Sequence, residues 1–111
     1  MENCIFCKIA RREIPANIVY ESENVLAFDD VNPIAPVHVV AVPKIHVATL
    51  MDVSEDVMED MMKAVQEVAR IKGIDKTGFR TVINCNEDGG QVIFHLHVHI
   101  LGGRKLSDDM G

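Results

Sequence analysis

The run Phe94-His95-Leu96-His97-Val98-His99-Ile100 constrains this chain more than any other stretch, because apolar and imidazole side chains alternate at every residue. Period two predicts a β-strand over Phe94–Ile100 with one apolar face and one face of imidazoles. On a helix the same residues would scatter the rings around the axis and split the apolar set. Three of the five histidines stand on this one face. A histidine beside apolar neighbours is ordinarily a core residue with its own hydrogen-bond partner, and three in a row multiply the desolvation cost. Two chemistries suit such a row. One is a histidine-rich metal centre; the other is a nucleophilic imidazole whose neighbours orient it and handle charge. Gly89-Gly90 before the run and Gly102-Gly103 after it allow turns with positive φ, and successive N–H groups in such turns cradle an anion. Histidines beside a glycine cradle point to phosphate, with imidazole attacking phosphorus.

The rest of the chain bounds the answer. Its 111 residues suffice for a single domain, residues 1–111, with a modest core. At 48% hydrophobic and 25% charged residues, the composition is that of an ordinary soluble globular protein. A formal net charge of −6 and the lack of a basic stripe exclude a nucleic-acid polymer as partner, while a single nucleotide can still bind through local donors. No apolar run reaches membrane-spanning length, so no membrane partner is expected, and the N-terminus lacks the apolar core of a signal peptide. Three cysteines, an odd number, fit a reducing compartment better than a disulfide framework, and the expected location is cytoplasmic.

Read in order, the elements alternate short strands with two helices. A short helix is predicted from Cys4 to about Arg11, then a hairpin of strands around Ile18–Tyr20 and Val25–Phe28, closed by Asp29-Asp30. The Pro-punctuated segment Asn32–Pro36 reads as loop, and the apolar run His38–Val42 as a central strand ended by Pro43-Lys44. The one long helix is predicted from Ser54 to about Lys72. Ser54 is its N-cap, Glu55 and Asp56 favour the positive end of its dipole, and Gly73 follows its end. Val57, Met58, Met61, Met62, Val65, Val68 and Ala69 form one stripe at helical spacing, which marks scaffold. Gly78–Asn84 is the fourth strand and the triple-histidine run the fifth. The order favours an α+β domain, an antiparallel five-stranded sheet with one long helix and a short N-terminal helix.

Cys4-x-x-Cys7 leaves three readings open: two small packed residues, a redox dithiol, or half a zinc site. The redox reading lacks a βαβ context, and the zinc reading needs two more ligands, for which His46 and His95 are candidates. Cys85 has no partner at a useful spacing and reads as a small packed residue.

His95-Leu96-His97-Val98-His99-Ile100 resembles the motif that names the histidine triad (HIT) family of nucleotide hydrolases and transferases. The resemblance extends through Cys4-Ile5-Phe6-Cys7-Lys8-Ile9, Glu13-Ile14-Pro15, Leu26-Ala27-Phe28-Asp29-Asp30, Ala35-Pro36-Val37-His38, Val42-Pro43-Lys44-Ile45-His46, Asn84 and Gly89-Gly90-Gln91, nearly the whole chain. Its small, Hint-like nucleotide-binding branch is the most similar.

The resemblance implies a mechanism and a set of roles. His97 would attack the α-phosphorus of a nucleoside phosphoramidate or related nucleotidyl conjugate and form a nucleotidyl-imidazole, from which water releases a monophosphate such as AMP. His99 would contact the phosphate, with His38 behind it in the hydrogen-bonded network. Asp30 would accept the ribose hydroxyls, a task that suits a bidentate acceptor. Ile14, Phe28 and Val31 would sandwich a purine base. Asn84, Gly90, Gln91 and Val92 would line the phosphate, with backbone N–H groups near Gln91 and Val92 facing its oxygens. Cys4, Cys7, His46 and His95 would hold a structural zinc ion, and no organic cofactor is expected. A homodimer with a continuous sheet is implied as well.

Two positions depart from the family pattern. Many relatives carry, two residues after the second glycine, a serine that donates to the leaving group; this chain has Val92. The usual Trp-Pro-Pro end is replaced by Ser107-Asp108-Asp109-Met110-Gly111. Val92 supports an alternative, a nucleotide-binding module with little turnover. A third alternative puts catalytic zinc on all three triad histidines; Cys4 and Cys7 argue against it by offering a different ligand grouping.

Overall fold

Strands that are apolar at every position must be covered on both faces, and that requirement organises the domain. The computed structural model describes residues 3–111. Its elements are α1 (Ile5–Ala10), β1 (Ile18–Glu21), β2 (Val25–Asp29), β3 (Val37–Pro43), α2 (Glu55–Ile71), β4 (Phe79–Val82) and β5 (Val98–Gly102). The strands form one antiparallel sheet in the order β1-β2-β3-β5-β4, so the fold is the expected α+β arrangement.

Side chains of β2 and β3 divide strictly by parity. Val25, Ala27, Val39 and Ala41 pack on one face against Met61, Ala64, Val68 and Ala69 of α2. Leu26, Phe28, Val40 and Val42 pack on the other against Phe6 and Ile9 of α1. The long helix therefore covers one face, and the short helix covers only part of the other. The histidine side chains stand where that second cover ends.

Helix α2 starts as its caps dictate: the Ser54 hydroxyl accepts the Val57 N–H at 3.3 Å. It stops at Lys72, followed by Gly73 at φ 70°, a left-handed conformation that glycine adopts without strain. Two details of the stripe change. Met62 is more than half exposed, whereas Ala64 is fully buried, because the helix faces the sheet along a line centred on Met61 and Val68.

The triple-histidine segment departs from its predicted strand. Regular pairing begins only at Val98 and runs to Gly102, with Ala41 opposite Val98 and Val40 opposite His99. Continued toward the N-terminal side of β5, the register would set Val42 opposite His97 and Pro43 opposite Leu96, and Pro43 has no N–H to give a ladder. The Pro43 carbonyl instead accepts from the His95 ring at 2.8 Å. The chain from Gln91 to Leu96 leaves the sheet and lies along Val47 and Ala48, tied by the Leu96 N–H to Val47 O (2.7 Å) and by the Gln91 amide to Ala48 O (2.8 Å). Phe94 is correspondingly half exposed rather than part of an apolar face. Strand β4 is also shorter than predicted, ending at Val82, two residues before Asn84.

Met61 is 1% exposed at the centre of the α2–sheet interface and far from the histidines in the fold. Met61→Ala is expected to lower unfolding free energy by about 2–5 kcal/mol, read from the urea midpoint, with the histidine site left intact.

Candidate active site

Three imidazoles line one side of α1, each fixed by a different backbone or side-chain partner. His95 is fully buried, and its Nε2 lies 2.8 Å from Pro43 O. A carbonyl only accepts, so Nε2 carries the proton and Nδ1 presents its lone pair. That Nδ1 faces Cys4 Sγ at 3.2 Å and Cys7 Sγ at 3.5 Å. Cys7 Sγ also meets His46 Nδ1 at 3.3 Å. The four ligand atoms of Cys4, Cys7, His46 and His95 all lie within 4.8 Å of one another.

This donor set fits a metal ion. Two sulfurs and two imidazole nitrogens converge, with the His95 tautomer set by an outer hydrogen bond to a backbone carbonyl. Cys4 also caps α1, its sulfur accepting the Cys7 N–H at 3.4 Å. Burial pushes the Cys7 thiol up from its ordinary value, and the neighbouring Cys4 adds to the shift. A divalent cation between them would reverse that penalty. Of the three readings of Cys4 and Cys7, the cluster that could hold a metal is the one this geometry supports.

His97 is held differently. Its Nδ1 lies 2.8 Å from the backbone carbonyl of His95, so Nδ1 carries the proton and Nε2 is left with a lone pair. Phe6 of α1 packs edge-on against the ring, with centroids 5.0 Å apart. On the far side, His97 and His99 rings stand at 76° with centroids 5.0 Å apart.

His99 and His38 form a directed pair. The Ile34 N–H donates to His38 Nδ1 at 3.2 Å, which fixes the proton on His38 Nε2. That nitrogen lies 2.9 Å from His99 Nδ1, so His99 accepts there and keeps its own proton on Nε2. The pairing follows from register: Val40 stands opposite His99, and His38 is two residues before Val40 on the same face. Asp30 Oδ2 lies 3.3 Å from His38 Nε2, while Oδ1 accepts the Asn32 N–H at 2.8 Å. Burial lowers the pKa of both histidines. For His99 the neighbouring His97 and His38 lower it further, and in both cases the Asp30 carboxylate opposes the shift. Burial likewise lowers that of His95. The three triad rings thus have separate partners: His95 turns to the thiols and His99 to His38, so the grouping around one catalytic metal does not form.

His97 and His99 open into a cavity of about 400 Å³. Ile14, Phe28, Asp30, Val31, Asn84, Gly90 and Val92 are among the residues that line it. All these residues of the sequence reading therefore gather around one space. Phe28 is both core and wall, at 6% exposure, whereas Val31 is 89% exposed on the rim. Gln91 is the correction. It is buried, its side chain bridges Ala48 O, Ile93 O and the Asn86 N–H, and its own N–H is given to Asn86 O. It shapes the loop and offers the cavity no donor. Gly90, at φ 81°, also spends its N–H within the turn, on Glu87 O. Val92 N–H has no partner among the described residues and remains the donor at the rim. Phe6, Ile9, Val40 and Ile93 also line the cavity, without a role in the sequence reading. The i, i+3 spacing of Phe6 and Ile9 was the available signal.

Two wider clefts, of about 710 and 630 Å³, flank the C-terminal segment, but neither is lined by a histidine or cysteine.

Comparison with known proteins agrees with this geometry. A family model described as "HIT domain" matches residues 11–106. The chain is 44% identical over 108 residues to the purine nucleoside phosphoramidase of Escherichia coli (strain K12), covering 95% of this chain and 91% of that protein. Among solved structures it is similar to a HIT family hydrolase from Legionella pneumophila, with TM-score 0.93, 43% identity, and 98% and 100% of the two chains covered. A histidine triad protein from Clostridium difficile gives TM-score 0.91 at 47% identity, covering 98% and 97%.

Two outcomes follow from these electrostatics. Zinc added to chelator-treated protein at about 100 times its Kd is expected to stabilise the fold by about 2.7 kcal/mol, and Cys7→Ser to remove most of that gain. Differential scanning calorimetry with and without the metal measures it. The second concerns His38 and His99, whose pKa values are lowered by folding from the ordinary 6.5. The unfolded chain therefore binds more protons than the folded one once pH drops below about 6.5, and stability is lost as pH falls. In chelator-treated protein the urea midpoint is expected to be lower at pH 5.5 than at pH 7.5. His99→Gln should flatten that dependence.

Proposed function

Because the chain belongs to the histidine triad (HIT) family, we propose that it hydrolyses nucleoside 5′-phosphoramidates or related nucleotidyl conjugates through a nucleotidyl-histidine, releasing a nucleoside monophosphate such as AMP. One observation carries the reading: the Nδ1–H of His97 is tied to a backbone carbonyl at 2.8 Å, leaving Nε2 as the ring nitrogen free to act as nucleophile beside the cavity. The phosphoramidase activity named for the Escherichia coli relative supports the choice of bond.

In this reading the purine lies between Ile14, Phe28 and Val31, and Asp30 accepts the ribose hydroxyls. Asn84, Gly90 and Val92 surround the phosphate, Gly90 by the close approach that its missing side chain allows. His97 Nε2 attacks phosphorus as the P–N bond breaks. The departing amine takes up one proton, drawn from solvent and delivered by His99 Nε2, with His38 and Asp30 behind it. Water then attacks the nucleotidyl-imidazole, yields the monophosphate and returns a proton to solvent. The neutral state that burial favours in His38 and His99 suits groups that pass protons in both directions.

Zinc held by Cys4, Cys7, His46 and His95 would supply a closed structural cross-link, not a Lewis acid at phosphorus. Strand β4 lies at the sheet edge, which suits continuation of the sheet into a second copy and hence a homodimer. Reduced cysteines suit a cytoplasmic location.

The second reading is a nucleotide-binding module with little turnover. Val92 favours it, since an isopropyl group, 87% exposed on the cavity rim, offers a leaving group no side-chain hydrogen bond. Loss of one such bond costs about 0.5–1.5 kcal/mol, which slows an enzyme without abolishing it.

Adenosine 5′-phosphoramidate mixed with the protein and followed by intact-mass spectrometry separates the two. Wild type is expected to give an adenylyl adduct or released AMP, and His97→Ala to lower turnover by about a thousandfold or more. Nucleotide bound without adduct or product over hours would favour the binding module. Equal turnover in the variant would overturn the covalent route.

A further inference from the structure

Asp29 and Asp30 both border the cavity at His97, but their carboxylates turn to opposite faces of the sheet. Asp30 follows Phe28 to the histidine side, where its Oδ2 meets His38. Asp29 follows Ala27 to the α2 side, and its Oδ1 lies 3.0 Å from Nζ of Lys72 at the end of that helix. Its Oδ2 accepts the side-chain amide of Asn17, and its own N–H is given to Asn17 O at 3.0 Å. Asn17 closes the irregular segment that leads into β1. Ile14, Pro15 and Ala16 of that segment line the cavity, yet none of them makes a backbone hydrogen bond among the described residues. The segment is therefore held from its two ends, by the Glu13 N–H on Lys8 O at 2.8 Å and by Asn17 on Asp29.

We propose that Asp29 is a positioning residue: it clamps the Ile14–Asn17 segment and the end of β2 to α2, and so fixes the apolar wall at Ile14 relative to the carboxylate of Asp30. The inference rests on the reading above that places a nucleoside between them. The Asp29–Lys72 pair is partly exposed, and an isolated pair of that kind contributes little to stability. Here, however, one carboxylate serves two partners on different elements, Lys72 beyond α2 and Asn17 before β1. Asp29 and Asp30 are also joined by a single peptide unit, so a backbone rotation that releases one turns the other. Asp30 is otherwise held by the Asn32 N–H on Oδ1 and by its own N–H on His38 O. Without the clamp, the wall and the Asp30 carboxylate move independently, and a bound nucleoside must order both, which lowers affinity. His97 is fixed separately, through His95 O and Pro43 O, so the step at phosphorus does not depend on Asp29. The clamp acts on nucleoside affinity and on selectivity for the sugar.

Isothermal titration calorimetry with AMP and 2′-deoxy-AMP, beside steady-state kinetics on adenosine 5′-phosphoramidate, tests the proposal. Wild type is expected to bind AMP about tenfold more tightly than the deoxy compound, as the loss of a hydrogen bond to a carboxylate implies. In Asp29→Ala that ratio is expected to shrink to about threefold or less, with KM raised severalfold and kcat within about twofold of wild type. Lys72→Met should shift both readouts in the same direction, and Lys72→Arg, which keeps the ion pair, should retain the wild-type values. A ratio measured within one variant is insensitive to the fraction of protein that folds. An unchanged ratio in Asp29→Ala, or a fall in kcat at constant KM, would overturn the clamp and leave the hydrolase reading standing. Equal affinity of wild type for the two nucleotides would overturn the ribose role of Asp30 and the clamp with it. The expected affinity ratios without turnover in wild type would overturn the hydrolase reading and support the clamp.

Discussion

The hydrogen bond from His97 Nδ1–H to the carbonyl of His95 is the interaction on which the site depends. It joins the His97 ring to the main chain two residues earlier, just ahead of β5, so the ring's direction is set by main-chain geometry rather than by a mobile side chain. That carbonyl is in turn placed by the His95 ring, whose Nε2–H is held on Pro43 O. Proline at this position ends the ladder between β3 and β5 and releases a carbonyl to the imidazole. A break in the sheet is thus converted into an anchor. Every buried side-chain nitrogen and oxygen among the described residues finds a partner, which a row of histidines with two of its three rings buried could not achieve without such anchors.

Two differently built ends meet at His97. Toward His95 lies the thiol–imidazole cluster, where burial and mutual repulsion favour a cation. Toward His99 lies a relay that begins at the Ile34 N–H, passes through His38 and is countered by Asp30. The first end is suited to stiffness and the second to proton movement. The same alternation of side chains serves both, because neighbouring histidines on one face can turn to opposite neighbours.

Much of this was legible in the residues, and the parts that were not have physical reasons. Period-two patterning located the triad, and capping signals located α2, because each is a local property of a few consecutive residues. The grouping of Cys4, Cys7, His46 and His95, and the roles of His38 and Asp30, came from family resemblance; spacing alone left the cysteines open. What failed was the extent of the triad strand. The alternation continues from Phe94, but pairing starts at Val98, since whether a partner offers a ladder depends on Pro43, over fifty positions away in sequence. Gln91 failed for a related reason. Its N–H and amide are claimed by Asn86, Ala48 and Ile93, contacts that no local pattern encodes. Phe6 and Ile9 were visible as an apolar helix face, yet nothing in their spacing said that the face would stop at His97 and leave a cavity there.

The central claim is that backbone and side-chain partners fix the ring tautomers of the histidines and leave His97 Nε2 for the proposed nucleophilic role. Long-range ¹⁵N–¹H correlation spectra of imidazole-labelled protein near neutral pH read this directly. The account requires the proton on Nδ1 in His97 and on Nε2 in His95, His38 and His99. A His97 ring protonated at Nε2, or averaging between tautomers, would contradict it.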